Sequence, residues 1–373
     1  MKDGNRYYKL YLTVKGPVYI GESTTPRSKK EYIYLKNEGR IIFPDMRKMY
    51  MDLVKKGMEK KFQDYMLNDR RNLAAWLSAN KISSQDIKKW TKYELKYDDV
   101  DDIRGIEQQV MTFVKDPWGN PYVPGSSLKG MLRTALLTRY IRENGEEYEI
   151  LKRNVRNKSA EKASRTKMLK YEIGKVESQA FNKLLMNEKK IDDIKNDIMS
   201  QVVVSDSSPL SIDDIILCQN IDVSVDGTKK QINVLRECIK PGTRIEFQLK
   251  IGEKAGITSQ TIIDAIEDMK EIVYEQYLSR FKIDNIPVGP VAWLGGGTGY
   301  ATKTVIYSLF ENENGYRVVD NIMKGTLGRI YDTHKHYRDS GLKVSPHKVK
   351  ATKYKGQIFQ MGMVQVEIEE TNI

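Results

Sequence analysis

Cysteine and histidine are scarce in this chain, and each scarcity excludes something. Two cysteines, Cys218 and Cys238, in 373 residues are too few for a disulfide framework or a zinc knuckle. Reduced thiols in a cytoplasmic protein are the expectation. The three histidines, His334, His336 and His347, fall at no metal-ligand spacing that supports a zinc or iron site. No apolar run approaches the roughly 20 residues that span a bilayer. The opening MKDGNRYYKLYLTV turns straight into an alternating strand without a signal peptide's apolar block, so no membrane partner is expected. Nucleotide signatures fail as well. Gly125 is followed by Ser126-Ser127-Leu128-Lys129 rather than by Lys-Ser/Thr, and Tyr300 stands where a dinucleotide fingerprint needs its last glycine. The expected cofactor is none.

Positive charge is abundant. The formal charge is +12, with 40% hydrophobic and 30% charged residues, a globular composition biased toward polyanions: nucleic acid first, an anionic membrane surface second. Strands and helices alternate along the whole length, which predicts an α+β fold with two mixed domains meeting near residue 200. Tyr8, Leu10, Leu12 and Val14 mark a half-buried first strand. A hairpin is expected over 31–43, helices over 46–67, 73–81 and 85–90, an acidic surface loop over 98–102 and a strand over 104–114. Beyond these, the periodicity predicts helices over 176–186 and 189–199, strands at 201–204, 215–225, 232–239 and 244–251, a long helix over 259–281, a helix over 302–310 and a closing strand over 357–369.

The stretch from Asp116 to Arg142 organises the first half. Pro117, Pro121 and Pro124 stiffen a turn that leads to an N-cap at Ser126 or Ser127. Leu128, Leu132, Ala135, Leu136 and Tyr140 then recur at helical spacing, and Lys129, Arg133, Arg139 and Arg142 fall on the opposite face. A helix N-terminus suits a phosphate; a capped surface helix with a solvated basic face fits the same residues. In the second half, Gly295-Gly296-Gly297-Thr298-Gly299-Tyr300, followed by Lys303, makes a loop whose N–H groups can line an anion-binding concavity. Basic residues crowd 152–170, where large apolar residues are sparse; this segment reads either as a mobile insertion that orders on RNA or as a solvated loop. His334 and His336 are candidate general bases for RNA cleavage, though no acid partner is evident nearby in sequence.

The run Pro121-Tyr122-Val123-Pro124-Gly125-Ser126-Ser127-Leu128-Lys129-Gly130-Met131-Leu132-Arg133 closely resembles the PYIPGSSLKGxLR signature of the RAMP superfamily of CRISPR-associated RNA-binding proteins. Gly16-Pro17-Val18-Tyr19-Ile20-Gly21 is similar to the family's opening motif, with Tyr19 where histidine is common. Leu294–Tyr300 resembles its C-terminal glycine-rich loop. The tail from His347 to Tyr354, then a strand with Gly362, resembles one subgroup. Length, order and spacing are most similar to filament-capping subunits of type III-A (Csm) effector complexes.

The resemblance implies tandem RRM-like (ferredoxin-like) RAMP domains with helical insertions. One domain would span 1–200, with a helical insertion at about 45–95 and a basic one at about 146–175; the other would span 201–373, with the glycine loop at 294–300. It implies a non-catalytic subunit that binds CRISPR RNA near its 3′ end, contacts the neighbouring backbone subunit and other Csm subunits, meets target RNA indirectly and supports guide maturation in antiviral defence. The candidate RNA-binding residues are Ser126, Ser127, Lys129, Arg133, Gly295, Gly296, Gly297, Thr298, Gly299, Tyr300 and Lys303. The related backbone subunit cuts with an aspartate after its first strand, whereas 22–37 here contains none. A RAMP endoribonuclease acting on precursor RNA and an adaptor that recruits trimming nucleases are the alternatives.

Overall fold

The computed structural model describes residues 4–35, 38–97, 109–190, 193–283, 286–311 and 313–371. The acidic stretch 98–102 and the first part of the strand expected over 104–114 lie outside these residues. Along the chain run β1 (Asn5–Val14), β2 (Ile33–Leu35), β3 (Arg40–Pro44), α1 (Met46–Lys55), α2 (Glu59–Asn68), α3 (Leu73–Ala79), α4 (Ser84–Trp90), β4 (Thr91–Lys96) and β5 (Gln109–Met111). There follow α5 (Gly125–Glu143), α6 (Glu149–Ser159), α7 (Lys170–Phe181), β6 (Val202–Val204), β7 (Ile215–Ser224), β8 (Lys229–Ile239), β9 (Arg244–Gly252) and α8 (Ser259–Gln276). The last elements are β10 (Val291–Trp293), α9 (Ile306–Leu309), α10 (Gly315–Leu327), α11 (Arg329–Thr333), α12 (Asp339–Leu342), β11 (Lys348–Tyr354), β12 (Gln357–Gln360) and β13 (Met363–Glu370).

These strands form three sheets, in the orders β10-β13-β1-β9-β6, β12-β11-β7-β8-β5 and β2-β3-β4. The first sheet is antiparallel throughout, with Leu10 opposite Ile368 on one side and Phe247 on the other. Strands from both sides of residue 200 therefore share one sheet. The period-2 alternation of β1 sends Tyr8, Leu10, Leu12 and Val14 into a single core that also takes in α5, α8 and α10. A second core fills the 33–90 region, where Ile33 and Ile42 meet Leu53, Phe62, Trp76 and Trp90. Adjacent residues of β3 divide between the two, Ile41 facing the main core and Ile42 the smaller one.

Several expected elements change form, each for a local reason. The helix expected over 46–67 is two helices, because Gly57 adopts a left-handed φ of +69° between them. Over its described residues the segment 189–199 makes one-turn 3₁₀ pieces, since Asp193 and Asp197 turn their carboxylates onto nearby backbone N–H groups. The helix expected over 176–186 instead begins at Lys170 and ends at Phe181. The basic stretch 152–170, read as a mobile insertion or a solvated loop, is helical over its first part in α6, where Leu151, Val155 and Ser159 fall at a four-residue spacing, Val155 and Ser159 being buried. Its Lys152 and Arg156 both bond Glu313. The tail strand is broken at Gly362, φ +80°, so that β12 joins the second sheet and β13 the first. Strands β4 and β11 and the amphipathic helix α10 were not anticipated.

Candidate nucleic-acid interface

Helix α5 starts one residue before the expected cap. Pro124 presets the entry at φ −60° and has no capping side chain of its own. Instead the Gly125 N–H donates to Asp206 Oδ1 at 2.7 Å, a carboxylate supplied from beyond β6. Glycine is required there, because a Cβ would collide with the Val204 and Ser205 carbonyl oxygens. Ser126 is exposed and Ser127 half-buried.

The glycine loop is built against the segment after β1. Gly296 N–H donates to the Tyr19 carbonyl at 2.7 Å, and Leu294 N–H donates to Gly362 O at 2.8 Å. Gly295 takes φ +82°, and a Cβ on it would strike the Tyr19 carbonyl; only glycine fits. Gly297 lies against the Arg236 guanidinium and Gly299 beside Lys350. Tyr300 is folded inward, its hydroxyl 3.5 Å from Thr304 Oγ1, and burial pushes its pKa up.

Helix and loop, far apart in sequence, wall one cleft of ≈430 Å³. Ser127, Gly130, Met131 and Thr134 line it from α5, Trp293 to Gly296 and Thr302 from the loop, Ile20 and Gly21 from the first motif, and Met269 from α8. Among the described residues, Lys303 is its only charged lining residue. Desolvation, then the field of Arg236, holds the Lys303 ammonium below the ordinary lysine range. Buried polar atoms without hydrogen-bond partners gather around this place: Trp293 Nε1, Thr298 Oγ1, Tyr19 Oη, and Arg236 Nε and Nη1. Arg236 stacks over the Tyr19 ring, 5.2 Å from its centroid. Unsatisfied buried donors of this kind call for a ligand or solvent.

The other face of α5 is differently engaged. Arg133 bonds Asp197 at 2.7 Å and Glu177 at 3.0 Å and stacks on Phe181 at 4.1 Å. Arg139 reaches Asp268 and Glu143, and Arg142 reaches Asp268, Glu271 and Glu311. The basic face, for which solvation was one of the two readings, is over its arginines a set of internal braces. Lys129, half-buried beside Arg133, is also held below the ordinary lysine range, by desolvation first. The structure thus brings Ser127, Gly295, Gly296 and Lys303 into one cleft. Gly297, Thr298, Gly299 and Tyr300 stand behind it, and Ser126, Lys129 and Arg133 lie outside its lining.

Histidine placement corrects another expectation. An acid partner does exist: Asp339, fully buried, accepts from His336 Nδ1 at 3.0 Å and Ser345 Oγ at 2.7 Å, and pairs with His347 Nδ1. Burial alone would raise the Asp339 pKa, but these hydrogen bonds hold it below the usual carboxylate value. The potential ligand atoms of His336, Asp339 and His347 lie within 4.8 Å of one another, a grouping the linear spacing did not suggest. Both imidazoles are buried and both carboxylate oxygens are already bonded, so the cluster works as a structural tie between α12 and β11.

Sequence reading missed Gly130, Thr134 and Arg236. Gly130 did carry a signal: a glycine inside a helical pattern costs about 1 kcal/mol against alanine, and no atom lies within 4 Å of where its Cβ would be. Packing does not demand it, and it borders the open cleft.

A family model described as the RAMP superfamily matches residues 11–300. The chain belongs to that superfamily. Among curated relatives, a protein of Streptococcus thermophilus called CRISPR system Cms protein Csm5 is 30% identical over 321 residues, covering 82% of each chain. A Mycobacterium tuberculosis protein of the same name is 26% identical over 389 residues, covering 97% of each. The fold matches a chain in a cryo-EM structure of a Csm–crRNA–target RNA ternary complex of a type III-A CRISPR–Cas system, with TM-score 0.63, 18% identity and coverage of 96% of this RAMP chain and all of that one. It also matches the crystal structure of T. onnurineus Csm5, with TM-score 0.59, 18% identity and coverage of 95% and 99%. Within the superfamily, this chain is most like the fifth Csm subunit.

Proposed function

We propose that this RAMP protein is a non-catalytic RNA-binding subunit of a type III-A Csm ribonucleoprotein, gripping the guide RNA backbone in the cleft between α5 and the glycine loop. The observation that carries the reading is the convergence itself. Two segments singled out separately for anion chemistry wall one cleft whose described lining holds a lysine, no carboxylate and the unpartnered Trp293 Nε1, with the unpartnered Arg236, Tyr19 and Thr298 atoms packed behind the loop. Such a site grips phosphate and sugar and reads little sequence, as a subunit serving many guides requires. The first sheet supports RRM-like architecture. Its strands β13-β1-β9-β6, with α5 between β1 and β6 and α8 after β9, follow the order of a βαββαβ unit. Resemblance to the Csm5 relatives supports a place at the 3′ end of the guide, capping the filament against a backbone subunit and aiding maturation.

The test is binding of a guide-type single-stranded RNA by the purified protein across a salt series. Wild type is expected to bind with a steep salt dependence. Gly130→Leu, which fills the cleft from a helical position with open space, and Lys303→Ala are each expected to weaken binding without loss of thermal stability. Unchanged affinity in both variants would sink the cleft as the site. Incubation of labelled precursor RNA with wild type and with His336→Ala addresses the nuclease alternative: equal recovery of intact RNA is expected from both.

A further inference from the structure

Helix α7 carries a second surface of distinct character. Lys167, Lys170, Tyr171, Gly174, Lys175 and Ser178 line an open groove of ≈540 Å³ with no carboxylate among them. Tyr171 is 71% exposed, unusual for a large aromatic ring, and the Lys175 ammonium sits 5.7 Å from its centroid. The acids of the same helix point elsewhere. Glu177 bonds Arg133, and Glu172 lies within the field of Lys158.

Three features of this groove are unexplained by the fold. First, Gly174 stands in mid-helix, where glycine costs up to about 1 kcal/mol, yet no atom lies within 4 Å of where its Cβ would be. The missing side chain serves no internal packing; it leaves a notch between Tyr171 and Lys175. Second, the helix N-terminus has no side-chain cap, its cap residue Leu169 sitting in the left-handed region at φ +55°. Third, Lys167 and Lys170 crowd that positive end of the helix, where anions are the stabilising partners. Among the described residues, neither ammonium has a carboxylate partner.

We propose that this face of α7 is a second contact surface for single-stranded RNA, outside the cleft, with Tyr171 stacking on a base over the Gly174 notch and Lys167 and Lys170 answering the flanking phosphates. An exposed aromatic beside a lysine row is the equipment of a stacking platform on a charged track. The inference rests on the RNA-binding reading but not on the cleft. Arg133 on α5 and its partner Glu177 on α7 fix the two surfaces on adjoining helices.

The experiment uses the full chain and single-stranded RNA carrying photoreactive 4-thiouridine, with affinity measured across a salt series. Wild type is expected to crosslink at Tyr171. Lys167→Gln/Lys170→Gln is expected to lower the slope of log affinity against log salt by about 1.4, two single-strand phosphate contacts. Gly174→Leu is expected to weaken binding while the melting temperature holds or rises, which separates groove filling from unfolding. Gly130→Leu is the cleft control. If it weakens binding while the α7 variants keep wild-type affinity and slope and Tyr171 does not crosslink, the α7 surface is overturned and the cleft stands. The reverse pattern upholds the α7 surface and removes the cleft. A wild type that binds no RNA overturns both. A labelled polyglutamate peptide that binds wild type and not the lysine variant, with RNA binding unchanged, reassigns the groove to an acidic protein segment and overturns the proposal.

Discussion

Helices α5 and α7 carry similar basic residues and put them to opposite use. On α5, Arg133, Arg139 and Arg142 each meet at least two carboxylates within the molecule, so the helix most conspicuous for positive charge has little of it to offer a ligand. At the start of α7, Lys170 and the preceding Lys167 line a groove with no carboxylate among its described lining residues. Arginine's planar fork suits bidentate bracing, whereas lysine's single flexible ammonium suits a mobile phosphate. Both helices also contain a glycine that packing does not require, Gly130 and Gly174, and each glycine borders a cleft. A net charge of +12 therefore says less than the list of which cations remain unpaired.

The comparison breaks most visibly through stability. Replacing Arg133 with Met removes the Phe181 stacking and leaves Glu177 and Asp197 without their shared cation. A loss of about 2 kcal/mol is expected, read by chemical denaturation; Lys167→Gln/Lys170→Gln should shift the same curve hardly at all. A loss in the lysine variant equal to that of Arg133→Met would erase the distinction. Next in size is a pH effect on RNA affinity. Lys303 has its pKa lowered in the folded protein, so its charge is lost, and affinity falls, as pH rises through a window beginning below 10.5. Lys303→Arg stays charged and should hold its affinity through that window, in a titration followed by fluorescence anisotropy. The smallest effect is Gly174→Ala in the free protein. It should gain about 0.5–1 kcal/mol of stability from helix propensity alone, and a loss instead would mean that the notch has a structural purpose after all.

Much of the architecture was legible because it rests on short-range pattern. The alternation in β1, the helical recurrence of Leu128, Leu132, Ala135 and Leu136 in α5 and the length of α8 are all local properties. The cleft was half legible. Its two walls announced themselves through the GSSLKG and GGGTGY runs, but their meeting depends on Tyr19 bonding Gly296, a contact no window of sequence contains. The fate of the α5 arginines was illegible for the same reason, since their partners Asp197, Asp268 and Glu311 come from remote segments. Asp206 took the helix start that Ser126 or Ser127 was expected to cap, again from a distance. His336 and His347 were visible as residues and invisible as a pair, because Asp339 unites them only once α12 has formed.

The position of β1 bears on how the chain comes to be made. Its two neighbours in the sheet, β9 and β13, are synthesised long after it, and β13 only when residue 370 has left the ribosome. Until β9 has emerged the first strand has neither partner, and until β13 has emerged one of its edges stays unpaired. By contrast β2, β3, α1 to α4 and β4 are contiguous, carry their own core and depend on contacts of short range, the kind that forms early. The nascent protein thus holds an already shaped small unit beside an unpaired strand awaiting its tail. A chain terminated before Met363 would leave one edge of β1 open to strands of other molecules, so that the sheet closes only once β13 is present.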